Sequence, residues 1–285
     1  MDDPIIDDVT DTALWVAHYR AQETKRPDAL FQDPLAERLA GEKGKQIAAK
    51  MLGSRYTAWT LAIRTFVIDA YITELVATGV DTVINLGAGL DTRPYRLDLP
   101  ASLRWVEADF PRIIQHKEKI LAAEKPRCKL ERIAIDLADA NERKMFLARV
   151  GIESKRALIL TEGVTPYLSE EQVSALAADL LAQYAFRYWL LDYYSQEVKR
   201  HMQSKRRMRQ MRNSPFIFFP ENWFSFFEER GWKLREMRYI GETSQKLGRA
   251  LPTPWWVNIL ISLFGAQDKN PLTKMSGYAL LEPKS

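Results

Sequence analysis

The stretch Thr82-Val83-Ile84-Asn85-Leu86-Gly87-Ala88-Gly89-Leu90-Asp91-Thr92 decides the fold. A short apolar strand runs straight into two glycines, whose missing side chains allow a sharp turn and let a ligand lie against bare backbone. Such a Gly-x-Gly is read equally well as a tight strand-to-helix connection or as a nucleotide site, so its surroundings carry the decision.

Downstream of Asp81, short apolar runs alternate with polar, helix-spaced stretches, the pattern of repeated βα units around a parallel sheet. The runs predict strands at Thr82–Leu86, Arg104–Ala108, Cys128–Ile135, Ala157–Thr161, Arg187–Tyr193, Trp232–Tyr239 and Gly277–Leu281. Helices are expected between them at Arg112–Glu124, Asn141–Val150, Glu170–Gln183 and Pro220–Arg230. Ser169 with Gln172 three residues on reads as a capping box, and Gly231 as a helix C-cap. Upstream, the residues before about 80 read as a helical preface: Thr12 to Arg20, a helix entered through Asp33 as N-cap with Pro34 at its first position, and Thr57 to Ala77.

A chain of 285 residues, 46% hydrophobic and 27% charged, buries a core of its own and reads as one α/β domain over 1–285. Within it, 1–80 form the helical extension, 81–195 the cofactor-binding core, and 196–285 a substrate lid with the C-terminal strands. Lys and Arg exceed Asp and Glu by only four charges, so no nucleic-acid partner is expected. The single Cys128, with His18, His116 and His201, excludes an internal disulfide and disfavours a zinc site. The acidic start Met1 to Asp8 lacks the form of a secretory signal, and the apolar run Pro254 to Phe264 is too short to span a bilayer. A cytoplasmic protein without membrane contact is therefore expected.

A ribose bound at a glycine turn needs a carboxylate from the end of the next strand, about twenty residues on. Trp105-Val106-Glu107-Ala108-Asp109-Phe110 offers both Glu107 and Asp109, and alternation puts the two on one side of the strand, so geometry leaves the choice open. The turn has Thr92 where the dinucleotide fingerprint requires a third glycine, and Asp91 where a pyrophosphate would meet like charge. That disfavours a nicotinamide dehydrogenase and suits a cationic ligand without phosphates, such as S-adenosylmethionine. Asp136 after the third strand is placed to accept from an adenine amine, and Glu162 closes the fourth strand at the edge where ligands of open α/β sheets bind.

Three segments then carry a resemblance: Val83-Ile84-Asn85-Leu86-Gly87-Ala88-Gly89-Leu90-Asp91-Thr92-Arg93, Trp105-Val106-Glu107-Ala108-Asp109-Phe110-Pro111, and Leu160-Thr161-Glu162-Gly163-Val164-Thr165-Pro166-Tyr167-Leu168. With the early box Phe31-Gln32-Asp33-Pro34-Leu35-Ala36, they resemble the leucine carboxyl methyltransferase family over roughly residues 12 to 195. That family includes enzymes that esterify a protein C-terminal leucine, and bacterial relatives associated with small molecules. The resemblance implies the seven-stranded class I methyltransferase sheet with an antiparallel last strand, and S-adenosylmethionine as cofactor. It implies Gly87 and Gly89 at the turn, Asp109 on the ribose, Asp136 and Leu137 around the adenine, and Glu162 at the end of the fourth strand. Arg64 stands where the family pairs an arginine with the methionyl carboxylate, and Arg20 is a second candidate for that anionic end.

Transfer of a methyl group from a sulfonium is an in-line displacement, so the protein's main task is to hold the nucleophile at near-attack distance. A carboxylate acceptor is already ionised at neutral pH and needs no base, whereas a phenol or alcohol does. An O-methyltransferase acting on the carboxylate of a small-molecule acid is expected, with a phenolic or enolic hydroxyl of a polyketide-like metabolite, a protein C-terminal carboxylate, or a non-catalytic cofactor-binding protein as the alternatives. Tyr167 is a candidate for the acceptor pocket, and Arg206 and Arg207, in the basic run Lys199 to Arg212, are candidates for drawing in an anionic acceptor. The aromatic run Phe216 to Phe227 reads mostly as core, with Trp255 and Trp256 as further candidates for an apolar acceptor wall.

Overall fold

A computed structural model describes residues 9–51, 54–202, 215–249, 251–252 and 271–284. Three helices lead the chain: α1 (Val9–Thr24), α2 (Ala36–Lys50) and α3 (Ser54–Ala77). The sheet follows as β1 (Thr82–Leu86), β2 (Arg104–Asp109), β3 (Lys129–Ala134), β4 (Ala157–Thr161), β5 (Phe186–Tyr194), β6 (Trp232–Tyr239) and β7 (Ser276–Pro283). Between the strands run α4 (Arg93–Arg96), α5 (Pro111–Leu121), α6 (Ala140–Ile152), α7 (Glu170–Leu181), α8 (Gln196–Met202), α9 (Trp223–Glu228) and α10 (Ile240–Lys246).

The seven strands form one sheet in the order β3-β2-β1-β4-β5-β7-β6. The first five pair in parallel, and β7 inserts antiparallel between β5 and β6. This is the mostly parallel seven-stranded sheet expected above. β1 and β4 are buried along their whole length, which is why their sequences are near-continuous apolar runs. Alternation sends Ile84, Val106, Ile159 and Trp189 to one face, against α6, α7 and α9. It sends Val83, Trp105, Leu158 and Leu190 to the other, against α3 and α10.

The chain leaves β1 toward β2 and β3, then returns to lay β4 on β1's other side. The carboxyl ends of β1 and β4 therefore flank a topological switch point, the crevice where open α/β sheets bind ligands. α1 and α2 pack on one another, with Leu14, Ala17, Leu35, Leu39 and Leu90 in one small core that fixes the helical preface to the glycine turn.

One expectation about a helix start needs correction. Asp33 is not the cap of α2: the N-cap is Leu35, without a side-chain hydrogen bond. The Asp33 carboxylate is buried and receives Arg20 Nε at 2.8 Å, because a charge taken out of water needs a counter-charge more than a helix needs a cap. At α6 the cap is Asp139, which accepts from Asn141 N and Glu142 N. The capping box at Ser169 and Gln172 is present, and no helix among the described residues is long and apolar enough to cross a membrane.

Candidate functional site

A cavity of about 320 Å³ opens over the carboxyl ends of β1 to β4, roofed by Thr12, Ala13 and Val16 of α1. Gly87, Gly89, Asp109, Asp136 and Leu137 all line it. So do Glu162, Arg64, Arg20 and Tyr167, so every predicted site residue within the described part of the chain reaches one cavity. Arg206, Arg207, Trp255 and Trp256 lie outside the described residues.

The sheet order puts these side chains in sequence along one edge. Asp136 follows β3, Asp109 ends β2, Gly87 follows β1 and Glu162 follows β4. Three strand spacings of about 4.8 Å separate the outer two, about 14 Å, the reach of a nucleoside joined to a short chain. The turn itself is tied to β2: Gly87 N donates to Ala108 O at 2.8 Å, and Gly89 N donates to Asp109 Oδ2 at 2.6 Å. The second oxygen of Asp109 accepts Phe110 N at 2.7 Å. Burial nevertheless pushes the Asp109 carboxyl above its ordinary range, more strongly than these two N–H groups pull it down.

Glu107 and Asp109 differ in what they face. Glu107 is fully buried under the strand, receiving Lys117 Nζ at 2.7 Å and Arg132 Nε at 2.9 Å, while Asp109 faces the cavity. Lys117 sits on the buried face of α5 with Ile113, Ile114 and Leu121, and its partner is ten residues away on the strand.

At the β4 end the site is a network of opposite charges. Arg64 on α3 donates through Nε to Glu162 Oε1 at 2.6 Å, and Arg93 donates to Glu162 Oε2 at 2.7 Å. Burial pushes the Glu162 carboxyl upward, but the two guanidinium groups outweigh it and hold the group below the ordinary carboxylate range. Arg93, the last residue of the glycine motif, has no role assigned from sequence and also binds Asp69 and Asp91. Its position beside the turn and Asp91 is the signal in the sequence; Asp69 and Glu162 lie 24 and 69 residues away, and only the fold brings them to it.

Arg20 reaches the cavity wall, but its side chain is already engaged by Asp33 and by Leu90 O at 2.5 Å, so it braces the glycine turn against α1. Tyr167 stacks edge-on with Phe216 at 5.0 Å between centroids, and burial pushes its phenol up to about 12. His18 pairs with Gln22, and His116 with the carbonyl of Leu39, both away from the cavity. The aromatic run after Phe216 is core, as Phe218, Trp223, Phe226 and Phe227 pack with Trp189 and Trp232.

Comparison with known proteins agrees with this geometry. The sequence profile of the family described as "Leucine carboxyl methyltransferase" matches residues 13–181. A protein of Frankia alni named "Putative S-adenosyl-L-methionine-dependent methyltransferase FRAAL3836" is 28% identical over 260 residues, covering 85% of this chain and 90% of the relative. A Mycobacteroides abscessus protein of the same generic name is 34% identical over 184 residues, and that match spans 59% of this chain and 60% of the relative's own length. The crystal structure of a DUF574 family protein from Streptomyces avermitilis shares the fold, with a TM-score of 0.54 over 95% of this chain and 97% of that one at 14% identity. With more than half of its length matched by the family profile, the chain belongs to the leucine carboxyl methyltransferase family.

Proposed function

We propose that the protein transfers the methyl group of S-adenosylmethionine to a carboxylate oxygen of a small-molecule acid, forming a methyl ester. The cavity's donor set fits that cofactor: carboxylates over β2 and β3 for a nucleoside, bare glycine backbone over β1, and a guanidinium beside a carboxylate over β4 for a zwitterionic end. In this reading Asp109 receives the ribose hydroxyls, Asp136 and Leu137 flank the adenine, Arg64 takes the methionyl carboxylate, and Glu162 faces the ammonium. Bound there, the cofactor supplies an electrophilic methyl on a sulfonium.

The observation that carries the choice of acceptor is the state of the cavity's own ionisable groups. Asp91, Asp109, Asp136 and Glu162 each already accept hydrogen bonds from the chain. Glu162 is held ionised by two arginines, and Tyr167 holds its proton to about 12. Neither His18 nor His116 is among the described residues that line the cavity. A site with this wall suits a nucleophile that arrives ionised, and a carboxylate does so at neutral pH, while a phenol near 10 does not. The chain's remaining work is orientation and exclusion of water, with α1 as roof and Tyr167 as side wall.

The test is incubation with methyl-labelled S-adenosylmethionine and a panel of carboxylic acids, phenols and peptides with free C-termini, followed by alkali. Label on a small acid that alkali releases supports the reading. Alkali-stable label on a phenol, or label confined to peptides, overturns the acceptor assignment while leaving the cofactor in place. Asp109→Ala is expected to abolish S-adenosylhomocysteine binding, and wild-type affinity in that variant removes Asp109 from the ribose.

A further inference from the structure

Arg93 does not line the cavity, yet three carboxylates from three different elements converge on it. Its Nε donates to Asp69 of α3 at 2.6 Å, and one terminal nitrogen donates to Asp91 of the turn at 2.9 Å and to Glu162 after β4 at 2.7 Å. Its backbone N–H closes a further bond to Asp91 at 2.9 Å. The side chain is 3% exposed. Asp69 is in turn gripped by Arg96 through both oxygens, at 2.6 and 2.8 Å.

We propose that Arg93 is a positioning residue for the cofactor, a bracket behind the cavity wall that fixes the glycine turn, the end of β4 and helix α3 at the spacing the methionyl end requires. The proposal rests on the cofactor reading given above.

Three arguments support it. First, the two cavity-lining acids that Arg93 holds, Asp91 and Glu162, flank the two sides of the switch point, and α3 carries Arg64 five residues before Asp69. A single planar fork therefore sets the relative position of Arg64, the turn and Glu162. Second, a lysine cannot do this, because one ammonium on a flexible stem lacks the fork that holds carboxylates in fixed directions. Third, Arg64, Arg93 and Arg96 offset the charges of Asp69, Asp91 and Glu162 within this cluster before ligand arrives. A zwitterion of ammonium and carboxylate then enters without unbalanced charge. Removing Arg93 leaves Glu162 with Arg64 alone and Asp91 with Asn85 and a backbone N–H, which favours uptake of a proton by the pair.

Glu162 is faced by Arg64 from α3, Arg93 from α4, Asp91 from the turn, and Asp192 of β5 with Tyr278 of β7. Of these, only the two arginines favour its ionised form strongly, so loss of Arg93 moves its protonation to higher pH.

The experiment measures S-adenosylhomocysteine affinity by calorimetry as a function of pH in the wild type, Arg93→Gln and Arg93→Lys. Arg93→Gln is expected to lose at least about tenfold in affinity at neutral pH, the scale seen when a support behind a binding group is removed. Its affinity should also fall away on the acid side at a higher pH than in the wild type. Arg93→Lys should keep the wild-type acid midpoint with reduced affinity. Wild-type affinity in Arg93→Gln, or lower thermal stability with an unmoved acid midpoint, overturns the proposal. Should Arg93→Gln fail to fold, Arg93→Lys carries the test alone, and wild-type affinity in it refutes the need for a fork. A wild-type protein that does not bind S-adenosylhomocysteine at any pH instead removes the cofactor reading, and the bracket with it.

Discussion

Adding one methyl group to each glycine of the turn separates the roles of the two positions. Gly87 and Gly89 both have positive φ, 68° and 49°, so Ala at either costs roughly 1–2 kcal/mol for left-handed backbone. They differ in what the new Cβ meets. At Gly89 the nearest atom is Ala13 Cβ at 3.6 Å, an ordinary contact with the roof helix. At Gly87 it is Val164 Cγ2, closer than 3.0 Å, so the valine or the backbone has to move. Overpacking of this kind adds about 1–3 kcal/mol, giving Gly87→Ala about 2–5 kcal/mol in all. Val164→Ala removes the colliding methyl, and the pair should couple favourably by about 1–3 kcal/mol in a double-mutant cycle. Urea unfolding of the ligand-free protein reads all four free energies. Equal losses for Gly87→Ala and Gly89→Ala, or strictly additive behaviour with Val164→Ala, would refute the packing argument and leave only backbone strain.

Three further outcomes are expected. Glu107→Gln strips the counter-charge from buried Lys117 and Arg132 and should cost about 3 kcal/mol or more in urea unfolding, with S-adenosylhomocysteine affinity within a few-fold of wild type; a collapse of affinity would put Glu107 rather than Asp109 in the site. Glu162 has a folded pKa below its unfolded one, so it contributes stability that is present above about pH 4.5 and lost as pH falls through the folded value. Glu162→Gln should therefore flatten the acid limb of the stability curve, and parallel curves would count against its pairing with Arg64 and Arg93. Ser169→Ala should cost about 1 kcal/mol through loss of the capping box at α7, with cofactor affinity unchanged; an unaltered urea midpoint would show that the box is energetically idle.

What was legible in the sequence was whatever depends on neighbours in the chain. The run Thr82–Leu86 and its glycines, the buried strand Ala157–Thr161, and the box at Ser169 and Gln172 are local patterns, and each appears at the expected residues. The acids Asp109, Asp136 and Glu162 were legible because strand ends of a parallel sheet share one edge. What stayed hidden was pairing across the fold. Asp33 looked like a cap because Pro34 follows it, but Arg20 claims it from thirteen residues away. Glu107 and Asp109 share a strand face in the pattern, and only Lys117 and Arg132 on α5 and β3 distinguish them. Arg93 is one of several arginines near the turn until Asp69 and Glu162 are brought to it.

The antiparallel strand β7 has a consequence for assembly. β6 precedes β7 in the chain, yet it touches the rest of the sheet only through β7, which pairs with β5 on its other side. In the sheet β6 therefore has no strand partner until residues 276–283 lie beside β5. The five parallel strands and the turn at Gly87 can come together before that moment. Loss of β7 should thus take Tyr278 away from Asp192 behind the β4 end and leave β6 free to seek a strand partner on another molecule.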